Sequence, residues 1–571
     1  MDNQRLLTWA FFGMIAWLTY QAWMQDYGPQ PITVPTTTET LPGSEADSGL
    51  PDPALPELGG AGDGAPELPS QDSAPATAAE QAAGAPAIQV RTDVFDIQIS
   101  TQGGTIQRAA LPKYPVAKDR PDDPVVLLST AGDDLGLIRA GLRSEDKNKA
   151  GPSHTATFES ARSSYELGSG DELTVTLNWN DSDGLALQKR YHFTRGSYRI
   201  DVEQELTNNS DVAWRGDQYF QLLRRFFEQE RSMFNVDSYS FDGPIIYNGE
   251  KAEKLKRGDL QDDGPYQFST AEGWAASIQH HFLSAIVPSA GAQHIFQVRL
   301  SGDTMTASVV GAKQTVEPGS SHTFMQTLFV GPKLQSQLEE VDKTLKLTVD
   351  YGWLTILSQP LFWLLSKAFG IFGNWGVAII AVTFLIKLVF YKLTESSGRS
   401  MAKMRNLQPR LKALQERYKD DRQQLSQSMM ELYKREKVNP AAGCLPILIQ
   451  MPFFLAFYWA LLESVEMRQA PFALWITDLS VKDPFFILPL IMGAAMFFQQ
   501  KLNPQVGDPV QVKVMQVMPI IFTAFFAFFP AGLVLYWVTN TLLSIAQQWK
   551  INKVVEREAK QQKGGKKPKH D

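Results

Sequence analysis

The chain has 571 residues, a formal net charge of −7 and a single cysteine, so it has room for several domains and cannot form an internal disulfide bond. Its hydrophobic content of 44% is an average over two unlike parts. Residues 1–350 are polar apart from one apolar run near the start, whereas residues 351–545 consist mostly of long apolar runs. We therefore expect a polar part followed by a part built for a membrane.

The first predicted element is the apolar run at residues 6–24, whose length is close to the roughly 20 residues needed to span a bilayer. Trp23 and Met24 stand where a signal peptidase requires small residues, so residues 1–27 are predicted to be an uncleaved signal anchor. No Lys or Arg lies between Arg5 and Arg91 to hinder translocation. The N-terminus is therefore expected in the cytoplasm.

Two segments that differ in amino-acid composition and pattern follow the anchor. Residues 28–87 are rich in Pro, Ala, Gly, Thr and acidic residues, bury little apolar surface and are predicted to form a disordered tether. Residues 88–345 contain segments in which apolar and polar residues alternate, for example at 173–179 and 198–206, separated by turn clusters such as NDSDG. Alternation with a period of two residues, interrupted by turn clusters, predicts a large antiparallel β-sandwich.

Residues 353–372 are apolar enough to suggest a transmembrane helix, but charge argues against it. If residues 353–372 crossed the bilayer, the next run at 375–391 would return outward and expose the basic loop after Lys392 to the exterior. Cytoplasmic loops carry the excess of Lys and Arg. We therefore predict an amphipathic helix at 346–372 that lies on the outer face of the membrane.

The remaining apolar runs form a core at residues 373–549. The run at 518–545 is about 28 residues long, too long for one span of a ~30 Å hydrocarbon layer, and Pro530-Ala531-Gly532 interrupts it. Division there gives five core spans, and with the anchor six, which place both termini and the basic tail at 550–571 in the cytoplasm. The five predicted core spans are residues 375–391, 445–462, 485–498, 511–529 and 533–549.

Residues 400–438 are predicted to form a cytoplasmic helical hairpin, because apolar residues recur at spacings of three and four on both sides of a short polar connector. Pro409 is expected in the first turn of the first helix, and Asn439-Pro440 ends the second. The apolar stripe either closes the hairpin of a solvated linker or serves a basic, Met-rich docking arm. The candidate docking residues are Met404, Leu407, Leu411, Leu414, Met429 and Leu432.

Lys387 lies inside the apolar run at 375–391, where an ionisable group costs roughly 2.5–3.5 kcal/mol on insertion scales. On a helix, Lys387 would share a narrow face with Gly376, Thr383 and Thr394, which indicates a hydrophilic cavity. The alternative is that its side chain extends along the helix to the cytoplasmic interface, about four residues away near Tyr391.

Other spans also carry polar residues, each of which alone more often forms a helix–helix hydrogen bond than a functional group. Because they come from several helices, together they suit one shared hydrophilic groove. The candidate groove residues are Lys387, Thr383, Gln450, Thr523, Tyr536, Trp537 and Asn540.

Six sequence blocks in the core resemble the bacterial YidC membrane protein insertases of the YidC/Oxa/Alb family, in the Gram-negative form. The blocks are GNWGVAIIAVTFLIKLVFYKLT (373–394), SMAKMRNLQPRLKALQERYKDD (400–421), NPAAGCLPILIQMPFFLAFYWAL (439–461), RQAPFALWITDLS (468–480), LPLIMGAAMFFQQKLNP (488–504) and FPAGLVLYWVTN (529–540).

This resemblance implies a multi-pass protein of the bacterial inner membrane with a large periplasmic domain similar to mutarotase-like sandwiches. It implies an insertase and chaperone that moves client transmembrane segments from the cytoplasm into the bilayer through a hydrophilic groove, alone or with the Sec translocon. Lys387 matches the family's positive groove residue. Many members carry Arg there, so a role as a point charge is implied rather than one that needs guanidinium geometry.

The resemblance also implies the partners: nascent membrane proteins, the Sec translocon, the ribosome, the signal-recognition pathway and membrane lipids. We expect no enzymatic activity, no cofactor and no metal. The rival hypotheses are a solute transporter or channel, which lacks support from an inverted repeat, and a sugar-converting enzyme in the outer domain. His280 and His281 are adjacent, so we expect them on opposite faces of a strand rather than as a pair of ligands.

Overall fold

The computed structural model of the chain describes residues 84–146, 151–226, 240–418, 421–436, 445–502 and 509–564. The predicted anchor and almost all of the predicted tether lie outside these residues. The chain divides into two compact units, of which one contains Lys403–Cys444 and the other contains Gln71–Ala402 and Leu445–Asp571. The described part of the first unit is the hairpin.

The polar part of the chain folds into β-strands, and its short helix α1 covers Arg257–Asp262. In chain order the strands are β1 (Ala87–Arg91), β2 (Asp96–Ser100), β3 (Ile106–Ala117), β4 (Arg120–Leu128), β5 (Gly136–Ser144), β6 (Glu159–Ser160), β7 (Ser164–Glu166), β8 (Glu172–Asn180), β9 (Leu185–Thr194), β10 (Arg199–Asn208), β11 (Trp214–Arg225), β12 (Gly243–Tyr247), β13 (Ala252–Lys254), β14 (Tyr266–Thr270), β15 (Trp274–Gln279), β16 (Phe282–Pro288), β17 (His294–Ser301), β18 (Thr304–Val310), β19 (Gln314–Val316) and β20 (Ser320–Pro332).

These strands form two sheets. One has eleven strands in the order β14-β17-β18-β11-β5-β3-β2-β1-β7, with β19 paired to β11 and β4 paired to β3. The other has nine strands in the order β13-β12-β15-β16-β20-β10-β9-β8-β6. The pairs are antiparallel except β1 with β7, which is parallel. In the longest pairing, β10 and β20 match from Arg199 with Phe329 to Asn208 with Ser320.

The core lies between the two sheets, because alternate residues of each strand point inward. Ile200 and Phe329 of one sheet and Phe220 and Phe296 of the other are all at most 1% exposed and belong to one cluster of apolar side chains. The predicted large domain of antiparallel strands is therefore present. The segment at 88–100 forms two strands, β1 and β2, joined by a turn.

The C-terminal part is helical. Its helices are α2 (Gln335–Val341), α3 (Thr355–Phe372), α4 (Trp375–Val389), α5 (Tyr391–Arg417), α6 (Arg422–Arg435), α7 (Leu445–Leu462), α8 (Ile487–Leu502), α9 (Pro509–Phe526) and α10 (Ala531–Gly564). The break before α10 falls at Pro530, where the sequence places a turn. α10 continues well past the predicted end at residue 549, because no Pro or Gly stops the polar sequence that follows.

By length and composition, one described helix, α3, could cross a membrane, and α4 with the start of α5 would be a second if their 68° bend lies within one span. Shorter apolar helices occupy Gln450–Leu462, Ile487–Leu502 and Met515–Phe526. The count of six spans therefore stays a prediction. α3 is the helix that the charge argument assigns to the membrane surface.

Two expectations about the segment after Lys387 are wrong. Pro409 lies inside α5 rather than in its first turn, because the helix already begins at Tyr391. The polar residues before Met401 gave no periodic signal from which this earlier start could be predicted. Thr394 lies beyond the bend between α4 and α5, so it does not continue the face of the helix that carries Lys387.

Candidate functional site

The helix that carries Lys387 is fixed at its first turn by a loop between α7 and α8. The Asn374 side chain accepts a hydrogen bond from Val377 N at 3.0 Å and donates one to Phe472 O at 2.9 Å. At Gly376 a Cβ atom would lie 2.0 Å from Cδ2 of Phe472, so only glycine permits this contact. Gly376 is thus a packing position rather than part of a polar cavity.

Lys387 itself points toward the last helix. Its side chain is buried, with the residue 8% exposed, and its Nζ donates to Ser544 Oγ at 2.8 Å. The Ser544 hydroxyl in turn donates to Asn540 O at 2.7 Å, which leaves its lone pairs to accept from the ammonium. Within the described part of the chain, no carboxylate lies within ion-pair distance of Lys387. Among the described residues, the buried ammonium therefore has a hydroxyl partner and no counter-charge.

The opposite face of α4 is apolar and exposed. Leu385 is 44% exposed and Val389 71%. Because the ammonium lies on the other side, bonded to α10, the geometry favours an inward-facing lysine over one that extends along lipid to the interface. The sequence could not separate these two alternatives.

Tyr536 and Trp537 lie in an aromatic cluster rather than beside Lys387. The ring of Tyr536 stacks on Phe457 of α7 at 4.6 Å between centroids, and Trp537 meets Phe454 edge-on at 4.6 Å. Trp537 also lies 5.0 Å from Phe526 of α9. We call these five residues the aromatic cluster; it joins α7, α9 and α10.

The hydroxyl groups of the two candidate threonines form hydrogen bonds within their own helices. Thr383 Oγ1 donates to Ile379 O at 2.6 Å, and Thr523 Oγ1 donates to Pro519 O at 2.7 Å. Thr523 also packs on α8, because a Cβ atom at Gly493 would lie 2.0 Å from its Oγ1. Thr523 therefore marks a helix–helix contact. The remaining candidates, Gln450 and Asn540, are half-buried.

Packing along α10 changes from one end to the other. Near its start Ala531, Val534 and Tyr536 are at most 6% exposed, whereas Leu542 is 49% and Trp549 55% exposed. The tight end is closed by the loop after α7, through Ala531 N to Val481 O at 2.8 Å and Gly532 N to Leu479 O at 2.9 Å. The Lys387–Ser544 pair lies toward the open end.

Ser544 was missed by the sequence analysis, although a signal was present. It follows Tyr536 and Asn540 at spacings of eight and four residues, so all three share one face of α10. Serine was passed over because a hydroxyl inside a helix usually bonds to its own backbone, as Ser544 also does.

The hairpin residues named as a docking surface are mostly covered. Met404, Leu407, Leu411 and Leu432 are at most 7% exposed, and Leu414 and Met429 are half-buried. Arg410 Nη1 of α5 pairs with Glu436 Oε1, just after α6, at 2.7 Å. This arrangement favours the interpretation that the stripe closes the hairpin. The docking role stays a prediction.

The expectation that His280 and His281 lie on opposite faces of a strand is wrong. Both lie in the turn between β15 and β16, and their rings stack at 3.7 Å between centroids instead of pointing to opposite faces. His280 Nε2 lies 3.1 Å from Leu462 O. Among the residues that the structure describes, no group of three or more His, Cys, Asp or Glu side chains is placed to hold a metal ion.

Comparison with known families assigns the two parts of the chain separately. Residues 87–364 match the family described as the YidC periplasmic domain, and residues 367–559 match the family described as 60Kd inner membrane protein. The β domain followed by a helical core thus defines an inner-membrane protein with a periplasmic domain.

Full-length relatives give the particular family. The chain is 45% identical over 564 residues to the membrane protein insertase YidC of Nitrosococcus oceani, which covers 98% of this chain and 100% of that protein. It is 44% identical over 571 residues to that of Thioalkalivibrio sulfidiphilus, with coverages of 98% and 100%. The chain belongs to the YidC family of membrane protein insertases.

A crystal structure of an active YidC insertase with its first transmembrane domain resolved is also similar. The match has a TM-score of 0.37 and 18% identity, and it covers 80% of this chain and 90% of that chain.

Proposed function

We propose that this insertase moves client segments from the cytoplasm into the bilayer through a hydrophilic groove between α4, α7, α9 and α10, with Lys387 as its central positive charge. The observation that carries the proposal is the buried ammonium of Lys387, bonded to Ser544 and without a carboxylate partner in the described residues. An uncompensated charge at low dielectric attracts opposite charge strongly. It therefore favours entry of a polar or acidic client segment.

The packing gradient of α10 supports a groove that is closed at one end. The aromatic cluster and the loop after α7 seal the end nearer the β domain, and the helices open toward Lys387 and Ser544. A client hairpin would place its polar part beside Lys387 while its apolar part moves into lipid. Burial of apolar surface at ~25 cal/mol per Å² supplies the driving force, and the groove lowers the barrier.

For topology we propose six spans with both termini in the cytoplasm and α3 at the outer membrane surface. α3 buries Leu361, Phe362 and Leu365 on one face. Its other face carries Trp363, 59% exposed, with Lys367 Nζ 5.9 Å from its ring. A large aromatic ring beside a charged amine suits the boundary between lipid and water.

The proposed partners beyond client proteins and lipids are the Sec translocon, the ribosome and the signal-recognition pathway. Family membership supports these partners, and the basic residues of the hairpin and tail offer charge for contacts with RNA or anionic lipid. Insertion of this kind forms no covalent bond, so we propose a non-enzymatic mechanism without a cofactor.

The test is insertion of model clients into proteoliposomes that contain the Lys387→Ala variant. We expect insertion of a client with an acidic outer segment to fall at least about tenfold, the effect of losing roughly 1.4 kcal/mol of stabilisation. A matched client without the acidic residues should be affected much less. Lys387→Arg should retain activity, because it retains the charge.

Lys392→Ala serves as the matched control, because it removes a cation five residues further along the chain, beyond the bend between α4 and α5. Its insertion rate should equal that of the wild type. Wild-type insertion of the acidic client by Lys387→Ala would contradict the groove charge.

A further inference from the structure

The end of α7 is embedded in the β domain. Ala460 and Phe362 belong to the same apolar cluster as the sandwich core, and Trp459 packs against it. His280 of the β15–β16 turn contacts the carbonyl of Leu462, the last residue of α7, at 3.1 Å. The membrane core and the β domain therefore share one packed interface at this point.

A buried ion pair crosses this interface. Lys333, which follows β20, places its Nζ 3.9 Å from Oε2 of Glu463, the residue after α7, and the two side chains are 2% and 6% exposed. Ser240 Oγ of the β domain donates to Glu463 Oε1 at 3.0 Å. Burial lowers the pKa of Lys333 and raises the pKa of Glu463, as expected when both groups have left water.

A second set of contacts holds the loop after α7. Arg468 Nη2 and Gln469 Nε2 each donate to Pro115 O of β3 at 2.8 Å. Lys118, in the turn after β3, donates to Thr477 O further along the same loop. These bonds fix the loop, whereas the Lys333–Glu463 pair fixes the end of the helix itself.

The rotation of α7 matters for the groove because the helix carries two members of the aromatic cluster, Phe454 and Phe457. Glu463 is nine residues after Phe454 and six after Phe457 on the same continuous chain. A change in the angle or depth of the helix end therefore moves both rings relative to Tyr536 and Trp537 of α10.

We propose that Lys333 and Glu463 are positioning residues for insertion. The buried pair sets the rotation and depth of α7 and thereby keeps the rings of α7 in the aromatic cluster packed against those of α10. The proposal rests on the groove of the proposed function. It assigns the β domain a direct role in that groove, through one defined contact. The neighbouring Lys254–Asp350 pair also acts electrostatically on both groups. Removal of Lys333 or Glu463 still leaves a buried charge without its ion-pair partner, whereas replacement of both can be tolerated.

The test uses full-length protein in proteoliposomes with Lys333→Glu, Glu463→Lys and the double exchange. We expect each single variant to insert clients about tenfold more slowly, because a buried like-charge pair expels the helix end. The double exchange should restore most of the rate. If a single variant were slow only because its own domain is misfolded, the second substitution would not restore the rate.

A second variant covers the case in which the exchanged pair does not fold. Lys333→Met with Glu463→Leu replaces the pair by apolar side chains of similar size, and we expect its rate to stay within about twofold of the wild type. Lys333→Met alone should be as slow as the charge reversals. Lys313→Met is the control, because it breaks an exposed pair with Glu145 at 2.8 Å in the same domain.

The position of α7 is measured directly with spin labels at Thr323→Cys in the β domain and at Met451→Cys, an exposed position on α7, in a Cys444→Ser background. The single variants should broaden this distance distribution, and both double variants should keep it narrow. Wild-type rates and distances in the single variants would overturn the proposal. So would folded double variants that remain as slow as the single ones.

The two proposals fail separately. Loss of Lys387 should slow the insertion of acidic clients above all. Loss of the Lys333–Glu463 pair should slow the insertion of acidic and neutral clients alike. If only the first pattern appears, the groove charge stands and the positioning role does not.

Discussion

Among the residues that the structure describes, three lysines are buried, and each ammonium has a different environment. Lys189 is fully buried and donates to the carbonyls of Gly103 at 2.7 Å and Ala140 at 2.9 Å. Lys333 faces a carboxylate, and Lys387 faces a hydroxyl. Removal of an ammonium from water is costly, so each buried lysine needs an explanation. The environment of Lys189 suits a structural role, and the roles that we propose are positioning for Lys333 and client attraction for Lys387.

Lys189 should make the stability of the β domain depend on pH. Burial lowers the pKa of Lys189 to about 7 in the folded domain, from an ordinary value of 10.5. Between these pH values the unfolded chain binds more protons than the folded one, so the free energy of unfolding rises with pH. The slope contributed by one group is at most roughly 1.4 kcal/mol per pH unit.

The measurement is urea unfolding of the full-length protein in detergent between pH 7 and 10, followed by the circular dichroism of the strands. Lys189→Met should lose the lysine's part of the slope, and Lys313→Met, at an exposed position, should keep it. Equal slopes in the wild type and Lys189→Met would contradict this assignment.

Sequence reasoning found Lys387 because a charge inside an apolar run is conspicuous. Lys189 carried a weaker signal: it lies in the inward register of β9, between Leu187 and Tyr191, both buried. Lys333 could not be found in this way, because its partner Glu463 is 130 positions further along the chain and only the tertiary fold brings them together.

At the scale of elements, close helix contacts depend on glycine. α8 and α9 approach at Gly493, where a Cβ atom would lie 2.0 Å from Thr523 Oγ1. The sequence placed Thr523 in a polar groove because a hydroxyl in an apolar run has few local explanations. Gly493, on a different helix, is the residue that shows Thr523 to be a packing position rather than part of a polar groove.

Gly493→Ala should therefore destabilise the core by about 1–3 kcal/mol, since overpacking outweighs the gain in helix propensity. Gly493→Ala combined with Thr523→Ala should recover most of the loss, because the clashing hydroxyl is gone. Thermal unfolding in detergent measures both.

Gly370→Ala in α3 is the control for this pair. An added Cβ there meets nothing within 4 Å, so its melting temperature should not fall. An unchanged melting temperature for Gly493→Ala would show that α8 and α9 separate freely.

The helix bounds were predictable where proline or an N-cap marks them. The break at Pro530 follows from such a signal. The bounds of α7, at Leu445 and Leu462, coincide instead with the ends of an apolar run. The bend after Val389 follows from neither, because the sequence there contains neither Pro nor Gly. A helix bend without Pro or Gly is imposed by tertiary packing. The periodicity of apolar residues in the sequence does not reveal such a bend.

At the scale of the whole molecule, the predicted division into a β domain and a helical core is present, but the number of spans depends on charge arguments. Most core helices are shorter than a typical bilayer requires, so length alone does not identify them as spans. The distribution of Lys and Arg is then the stronger guide to which side each loop occupies.

Cysteine labelling tests this topology directly, in a Cys444→Ser background. Leu474→Cys, at a loop position that is 87% exposed, should react with a membrane-impermeant maleimide applied to the periplasmic side. Gln561→Cys near the end of α10 should react only after the membrane is permeabilised. Labelling of the second position in intact spheroplasts would exclude six spans.

α10 is longer than the thickness of a bilayer. Its 34 residues extend about 51 Å, well beyond a ~30 Å hydrocarbon layer. One end is bonded to the loop that the β domain holds, and near the other Ile551 and Val555 pack on Ala402, where the first helix of the hairpin continues. α10 thus connects the loop after α7 with the residues around Ala402, so a displacement of its C-terminal half would be transmitted to that loop.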